Sequence, residues 1–308
     1  MIVAAHNSFF RLKIIPEWTY SKMSILQILI LAIVQGAAEL LPISSSAHVI
    51  VTAKLMHLDP SSPEMTLLLV MLHTGTMFAC ILYFWKSWKA HYFSSGKDIW
   101  HIFKLVIIAT ACTGITGIAI KYLIENFALR DIPNAEVELL FKNLYLIASA
   151  LAVVGMLIIC AGYCEKRSNQ TSPLNLSSSI WIGLIQGICL PFRGFSRSGA
   201  TISTGLLLGV DKIKAEEFSF ALAVIITPPV IIHSVLRLIK AHATTVFHTT
   251  DLMVLFYPSI MGMLFSFISG LLALKLLSSL LEKNRWHYFG FYCLLASCIV
   301  FILHYSGF

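Results

Sequence analysis

The sequence predicts an all-α polytopic membrane protein: six transmembrane helices plus two re-entrant helical hairpins in an inverted repeat. Three observations carry this. The 308 residues are 57% hydrophobic and 12% charged, with a mean hydropathy of +0.82, whereas a soluble domain is about 25% charged. Six apolar stretches have the length of one bilayer crossing, about 20 residues. Two more are broken near their centres by proline, glycine and polar side chains.

Taken in order, residues 1–23 form a lead-in. Arg11, Lys13 and Glu17 stand where a signal peptide would carry its apolar core, and Pro16 interrupts the stretch. Residues 24–56 are too long and too interrupted for one helix: Gln35, Glu39, Pro42, Ser44, Ser45, Ser46 and His48 lie inside. Spans follow at 65–85, 104–124 and 142–162. Residues 179–209 repeat the broken pattern, with Gln186, Pro191, Arg193, Gly194, Ser196, Arg197, Ser198 and Gly199 at the centre. Three spans close the chain at 217–238, 252–276 and 287–304. Proline ends a helix and glycine frees the backbone. Broken backbone at membrane depth survives only against protein or a water-filled cavity. Each broken stretch therefore reads as a helix in, a polar turn and a helix out.

A hairpin followed by an odd number of spans inverts whatever comes next. The chain thus divides into a first repeat at 24–165 and a second at 166–308, an organisation that places a site at midplane where the repeats meet. Gln35-Gly36 before Pro42 is echoed by Gln186-Gly187 before Pro191.

The net charge of +7 does not indicate nucleic acid, because the basic residues lie mostly in short loops between spans. One set of loops holds Lys86, Lys89, Lys97, Lys166, Arg167, Lys212, Lys214, Lys283 and Arg285; the other holds Arg130 and Lys240, with Arg11, Lys13 and Lys22 in the tail. The richer set is expected inside, which puts the mouth of the first hairpin outside. The seven cysteines form no CxxC or Cys/His metal spacing and read as small buried hydrophobes.

The polar residues of the hairpins carry the chemistry. Gln35 and Glu39 share a helix face. A carboxylate at this depth costs a few kcal/mol, so it stitches helices together, binds a metal or orients a base. Ser45 and His48 are three apart, and a histidine beside a hydroxyl is the minimal activated nucleophile, with Glu39 as the group that would hold the ring. Gly194-Phe195-Ser196-Arg197-Ser198-Gly199-Ala200-Thr201, just before an apolar helix, reads as an anion cradle of helix N–H groups with a guanidinium that can grip phosphate bidentately. At this depth Arg197 needs an anionic partner, either Glu39 or a phosphorylated ligand. His73 is a candidate cavity-lining residue, and Thr227-Pro228-Pro229 reads as a kink. No P-loop is present, the nucleophile-elbow pattern lacks its last glycine, and Ser203 occupies the histidine position of the acid-phosphatase-like lipid phosphatase pattern SRxxxxxHxxxD.

Together these motifs resemble the undecaprenyl-diphosphate phosphatase (bacitracin-resistance protein) family. The signature [E/Q]xxxE then PxSSxxH is matched by Gln35 to Glu39 and Pro42 to His48, and PGxSRSxxT by Arg193 to Thr201. Leu72-His73-Thr74-Gly75-Thr76 and Ala215-Glu216-Glu217-Phe218-Ser219-Phe220 extend the likeness. Two positions depart from it: Gln35 where glutamate is common, and Arg193 where proline is usual.

The resemblance implies a bacterial plasma-membrane enzyme, its site opening to the outer face. It would cut C55 polyprenyl diphosphate to the monophosphate carrier of cell-wall synthesis and inorganic phosphate. It implies Glu39, Ser45, His48 and Arg197 as catalytic residues, with Ser45 as nucleophile and His48 as base, or His48 as the nucleophile instead. Gly194, Ser196, Arg197, Ser198 and Thr201 would hold the phosphate, and Mg2+ or Ca2+ would sit at Glu39 and Gln35. Its partners would be the lipid substrate, bacitracin as competitor for it, membrane lipids and a second copy of the chain in a homodimer, with no nucleic acid. The rival class is a polyprenyl-phosphate flippase or secondary transporter built on the same inverted repeat, which does not need a clustered nucleophile, base and arginine.

Overall fold

The computed structural model describes residues 23–58, 63–128, 130, 140, 143–167, 172–242 and 249–306. The lead-in, except Met23, lies outside them. Among the described residues ten α-helices follow one another: α1 Ile25–Leu40, α2 Ser45–Leu55, α3 Pro63–Tyr92, α4 Gly96–Leu123, α5 Leu144–Arg167, α6 Leu176–Cys189, α7 Arg197–Leu207, α8 Lys212–His242, α9 Thr249–Glu282 and α10 His287–Tyr305. A short π-helical turn, Ile124–Ala128, ends α4.

Six of these helices, α3, α4, α5, α8, α9 and α10, are long and apolar enough to cross a membrane. They match the six predicted spans, and several run further. α3 continues past position 85 to Tyr92 and carries Lys86, Lys89 and His91. Helical hydrogen bonding does not stop where the hydrocarbon does, and charged side chains are tolerated at the interface. α8 is one helix through Pro228 and Pro229.

The two broken stretches fold as helix–turn–helix units. α1 has 16 residues and α6 has 14, about 24 and 21 Å at 1.5 Å per residue. Both fall short of the roughly 30 Å hydrocarbon layer. Ser24 caps α1 in a reciprocal box with Gln27, and Asn175 caps α6 in the same way with Ser178, satisfying donors that a helix start leaves open.

Small residues set how closely the helices pack. Gly155 of α5 and Gly290 of α10 face each other, and a Cβ on Gly290 would lie 2.6 Å from the Gly155 carbonyl. α1 lies on α9 through Gly36, where a Cβ would meet the Ser266 carbonyl at 2.6 Å, and Ser269 Oγ donates to the Ile33 carbonyl at 2.9 Å. α6 lies on α4 through Gly187, where a Cβ would meet Thr116 Cβ at 2.6 Å, and Thr113 Oγ1 donates to the Gly183 carbonyl at 2.9 Å. The glycines of the two Gln-Gly pairs thus do equivalent packing work.

Buried carboxylates tie α8 to its neighbours. Glu216 accepts from Ser278 Oγ of α9 at 2.5 Å. Glu217 accepts from Ser87 Oγ and from His91 Nδ1 of α3, the latter at 2.9 Å. All seven cysteines are free thiols; Cys80, Cys189 and Cys293 are buried, but Cys160, Cys164 and Cys298 lie on the outside of the bundle. The expectation of buried cysteines is corrected there: an apolar outer surface suits a small soft side chain as well as a core does.

Candidate active site

The turns of the two helical hairpins meet. After Leu40 the chain leaves α1 through Leu41 and Pro42 and re-enters α2 at Ser45. Ser44, the cap, has φ 68° and ψ 95°, a region costly to a residue with a Cβ. In the second turn Gly194 has φ +101°, and a Cβ there would lie 2.3 Å from the Ile147 carbonyl. Glycine is therefore required twice over, for its backbone and for its lack of a side chain. Across the gap, Ser198 Oγ donates to the Leu41 carbonyl at 3.4 Å, and a Cβ on Gly199 would lie 3.2 Å from Pro42 Cβ.

Glu39, in the last turn of α1, is the hub. Its Oε2 accepts from Ser45 Oγ at 2.6 Å and from Gln35 Nε2 at 3.1 Å. Its Oε1 accepts from Arg197 Nη2 at 3.1 Å. His73 Nε2 of α3 stands 3.6 Å from Oε2. Because His73 Nδ1 lies 2.7 Å from the Leu69 carbonyl, which can only accept, Nδ1 carries a hydrogen, and Nε2 meets the carboxylate as a donor in the imidazolium form. One carboxylate thus collects a hydroxyl, an amide, a guanidinium and an imidazole from four helices.

Arg197 opens α7. Ser196 caps that helix, its Oγ accepting from the Gly199 N–H at 3.2 Å. The positive end of α7 and the Arg197 guanidinium therefore face the first turn together. Of the two partners anticipated for Arg197, the structure shows Glu39.

Some anticipated site residues turn elsewhere. Thr201 is fully buried, and its Oγ1 bonds the Arg197 carbonyl at 2.8 Å and Ser219 Oγ at 2.6 Å. It is a strut from α7 to α8 and not part of the cradle surface. Ser198 likewise bridges the turns. His48 does not meet Ser45 or Glu39. Its Nδ1 donates to the Ser44 carbonyl at 2.8 Å, and its Nε2 lies 2.8 Å from the Tyr292 hydroxyl of α10. The expected Glu39–His48 orienting bond is replaced by one to its own helix, because a histidine one turn into α2 reaches the carbonyl four residues back. Ser203 accepts from the buried Trp286 Nε1 at 2.9 Å. Tyr292 was not anticipated; it lies 244 positions from His48, and nothing local marks it.

Six helices long and apolar enough to cross a membrane, with a carboxylate, a serine, a histidine and an arginine gathered where two turns meet, define a multi-pass membrane protein with a polar cluster between its two halves. The family model for the bacitracin resistance protein BacA matches residues 28–299, and the chain belongs to that family. It is 54% identical over 282 residues to undecaprenyl-diphosphatase 2 of Acinetobacter baylyi, covering 91% of this chain and 98% of that one. It is 31% identical over 293 residues to undecaprenyl-diphosphatase of Desulfitobacterium hafniense, covering 92% and 97%. With undecaprenyl-diphosphatase of Methanobrevibacter smithii it shares 33% over 299 residues, covering 91% and 98%.

Proposed function

We infer that this protein hydrolyses undecaprenyl (C55) diphosphate to undecaprenyl phosphate and inorganic phosphate. The observation that carries the reading is the Ser45–Glu39–Arg197 cluster, a hydroxyl 2.6 Å from a carboxylate that also holds a guanidinium. Membership of the family and the names of the relatives agree with it. Translocation alone gives no use for a hydroxyl so placed.

Ser45 Oγ attacks the terminal phosphorus as Glu39 takes its proton. The bond from phosphorus to the bridging oxygen breaks, and undecaprenyl phosphate leaves. Arg197 and the first N–H groups of α7 stabilise the oxygens on which charge gathers, the main demand of phosphoryl transfer. Water then cleaves the phosphoserine with His48 as base, and Ser45 regains its proton from Glu39. His73 and Gln35 keep the carboxylate in place.

Among the described residues no three His, Cys, Asp or Glu side chains cluster as a metal cage. A cation that keeps its waters and binds through one carboxylate plus substrate phosphates, as Mg2+ does, suits what is present. Glu39 and the Gln35 carbonyl oxygen would hold it, and it would neutralise charge on the diphosphate.

The packing of α1 on α9 and of α6 on α4 supports inverted repeats at 24–165 and 166–308. With the loop charges, it supports a site opening to the outer face of a bacterial plasma membrane. Bacitracin would compete for the lipid, and a homodimer is the assembly proposed.

The test is phosphate release from C55 diphosphate by purified protein in detergent, with and without a chelator. Wild type should be active, and Arg197→Ala and His48→Ala should both lose activity by at least about 100-fold, the scale of a lost acid–base group. Chelation should lower the rate, and Mg2+ or Ca2+ should restore it. Wild-type turnover in either variant would sink the mechanism; lipid translocation without phosphate release would favour the transporter reading.

A further inference from the structure

We propose that Tyr292 is a catalytic residue that relays the proton between the attacking water and His48. The inference rests on the phosphatase reading above. His48 has two ring nitrogens, and its surroundings fix their roles. Nδ1 faces the Ser44 carbonyl at 2.8 Å; a carbonyl only accepts, so Nδ1 carries the hydrogen. In the neutral ring Nε2 is then a lone pair, and the Tyr292 hydroxyl at 2.8 Å must donate to it. The rings also stack, with centroids 5.6 Å apart and planes 15° from parallel, which keeps the imidazole from turning to present either nitrogen elsewhere. Ser44 holds its carbonyl in place through the strained backbone at φ 68°.

The base nitrogen of His48 is therefore covered by the phenol oxygen, so a proton that reaches it passes through that oxygen. That oxygen has given its hydrogen to Nε2 and keeps lone pairs for another donor. Tyr292 is half-exposed, whereas the next residue, Cys293, is buried and bonds the Pro42 carbonyl at 3.3 Å. This portion of α10 thus abuts the turn that leads into Ser45. Ser45 and His48 are three apart on α2 and share a face.

In the second half-reaction a water gives a proton to the Tyr292 oxygen as the phenol proton passes to Nε2. The water oxygen bonds to phosphorus, the bond from phosphorus to Ser45 Oγ breaks, and Oγ takes back the proton stored on Glu39. The imidazolium then returns its proton outward along the same hydroxyl.

The experiment compares wild type, Tyr292→Phe, His48→Ala and the double variant, each incubated with C55 diphosphate labelled with 32P in the terminal phosphate. Tyr292→Phe keeps the stacked ring and removes the relay. It should turn over about 10- to 100-fold more slowly, accumulate label on Ser45, and cost nothing further in the His48→Ala background. Wild-type turnover in Tyr292→Phe, slow turnover without trapped label, or additive losses in the double variant would each overturn the relay. A wild type that releases no phosphate would instead overturn the phosphatase reading.

Discussion

Glu39 holds four partners, and each constrains the others. A glutamine in its place keeps the size and still accepts a bond from Ser45, but it cannot take that hydroxyl's proton and leaves Arg197 uncompensated. Glu39→Gln should therefore cut phosphate release by at least about 100-fold and form no labelled phosphoserine, read in the same assay. This contrasts with Tyr292→Phe, which should trap that species. Much of the hub was legible in the sequence. The four-residue spacing of Gln35 and Glu39 put them on one face, and an arginine at membrane depth called for an anion. The position of His73 was not legible, because only the packing of α3 against the first hairpin brings it to 3.6 Å from the carboxylate. Nor was the partner of His48: an aromatic on the last helix gives no local sign of where its hydroxyl lies.

Among the elements, the second turn is the most constrained. Gly194 combines a left-handed φ of +101° with a neighbouring carbonyl that leaves no room for a methyl group. Gly194→Ala should lower stability by about 2 kcal/mol or more, since the φ cost alone is about 1–3 kcal/mol. It should also weaken activity by displacing Ser196 and Arg197. Thermal unfolding in detergent measures the first and phosphate release the second. The hairpins were readable because proline and glycine in an apolar run are hard to explain otherwise. Helix ends were less so: α3 and α9 outrun their hydrophobic cores, and hydropathy does not register a helix that continues into charged residues. The partner of Thr201 was not legible for a related reason. A hydroxyl one turn into an amphipathic helix looks the same in sequence whether it lines a cavity or bonds Ser219.

Over the whole molecule, loop charge sets the expected orientation. A cysteine replacing Lys97, in a background lacking the native thiols, should react with an impermeant maleimide only after spheroplasts are opened; labelling in intact spheroplasts would reverse the orientation. The likeness between halves shows in sequence as two Gln-Gly pairs, each followed by a proline and a serine-rich turn. In the structure it becomes two parallel uses of a glycine, Gly36 beneath α9 and Gly187 beneath α4.

The Glu39–Arg197 pair joins side chains 158 positions apart, one from each half of the chain. During synthesis the first half enters the membrane before the second exists. Until α7 arrives, Glu39 is a carboxylate in hydrocarbon with no cation from the other half, a state that costs a few kcal/mol. That cost is relieved by Arg197 only when both halves are in place, so the contact across the two turns ties the stability of the first half to the arrival of the second.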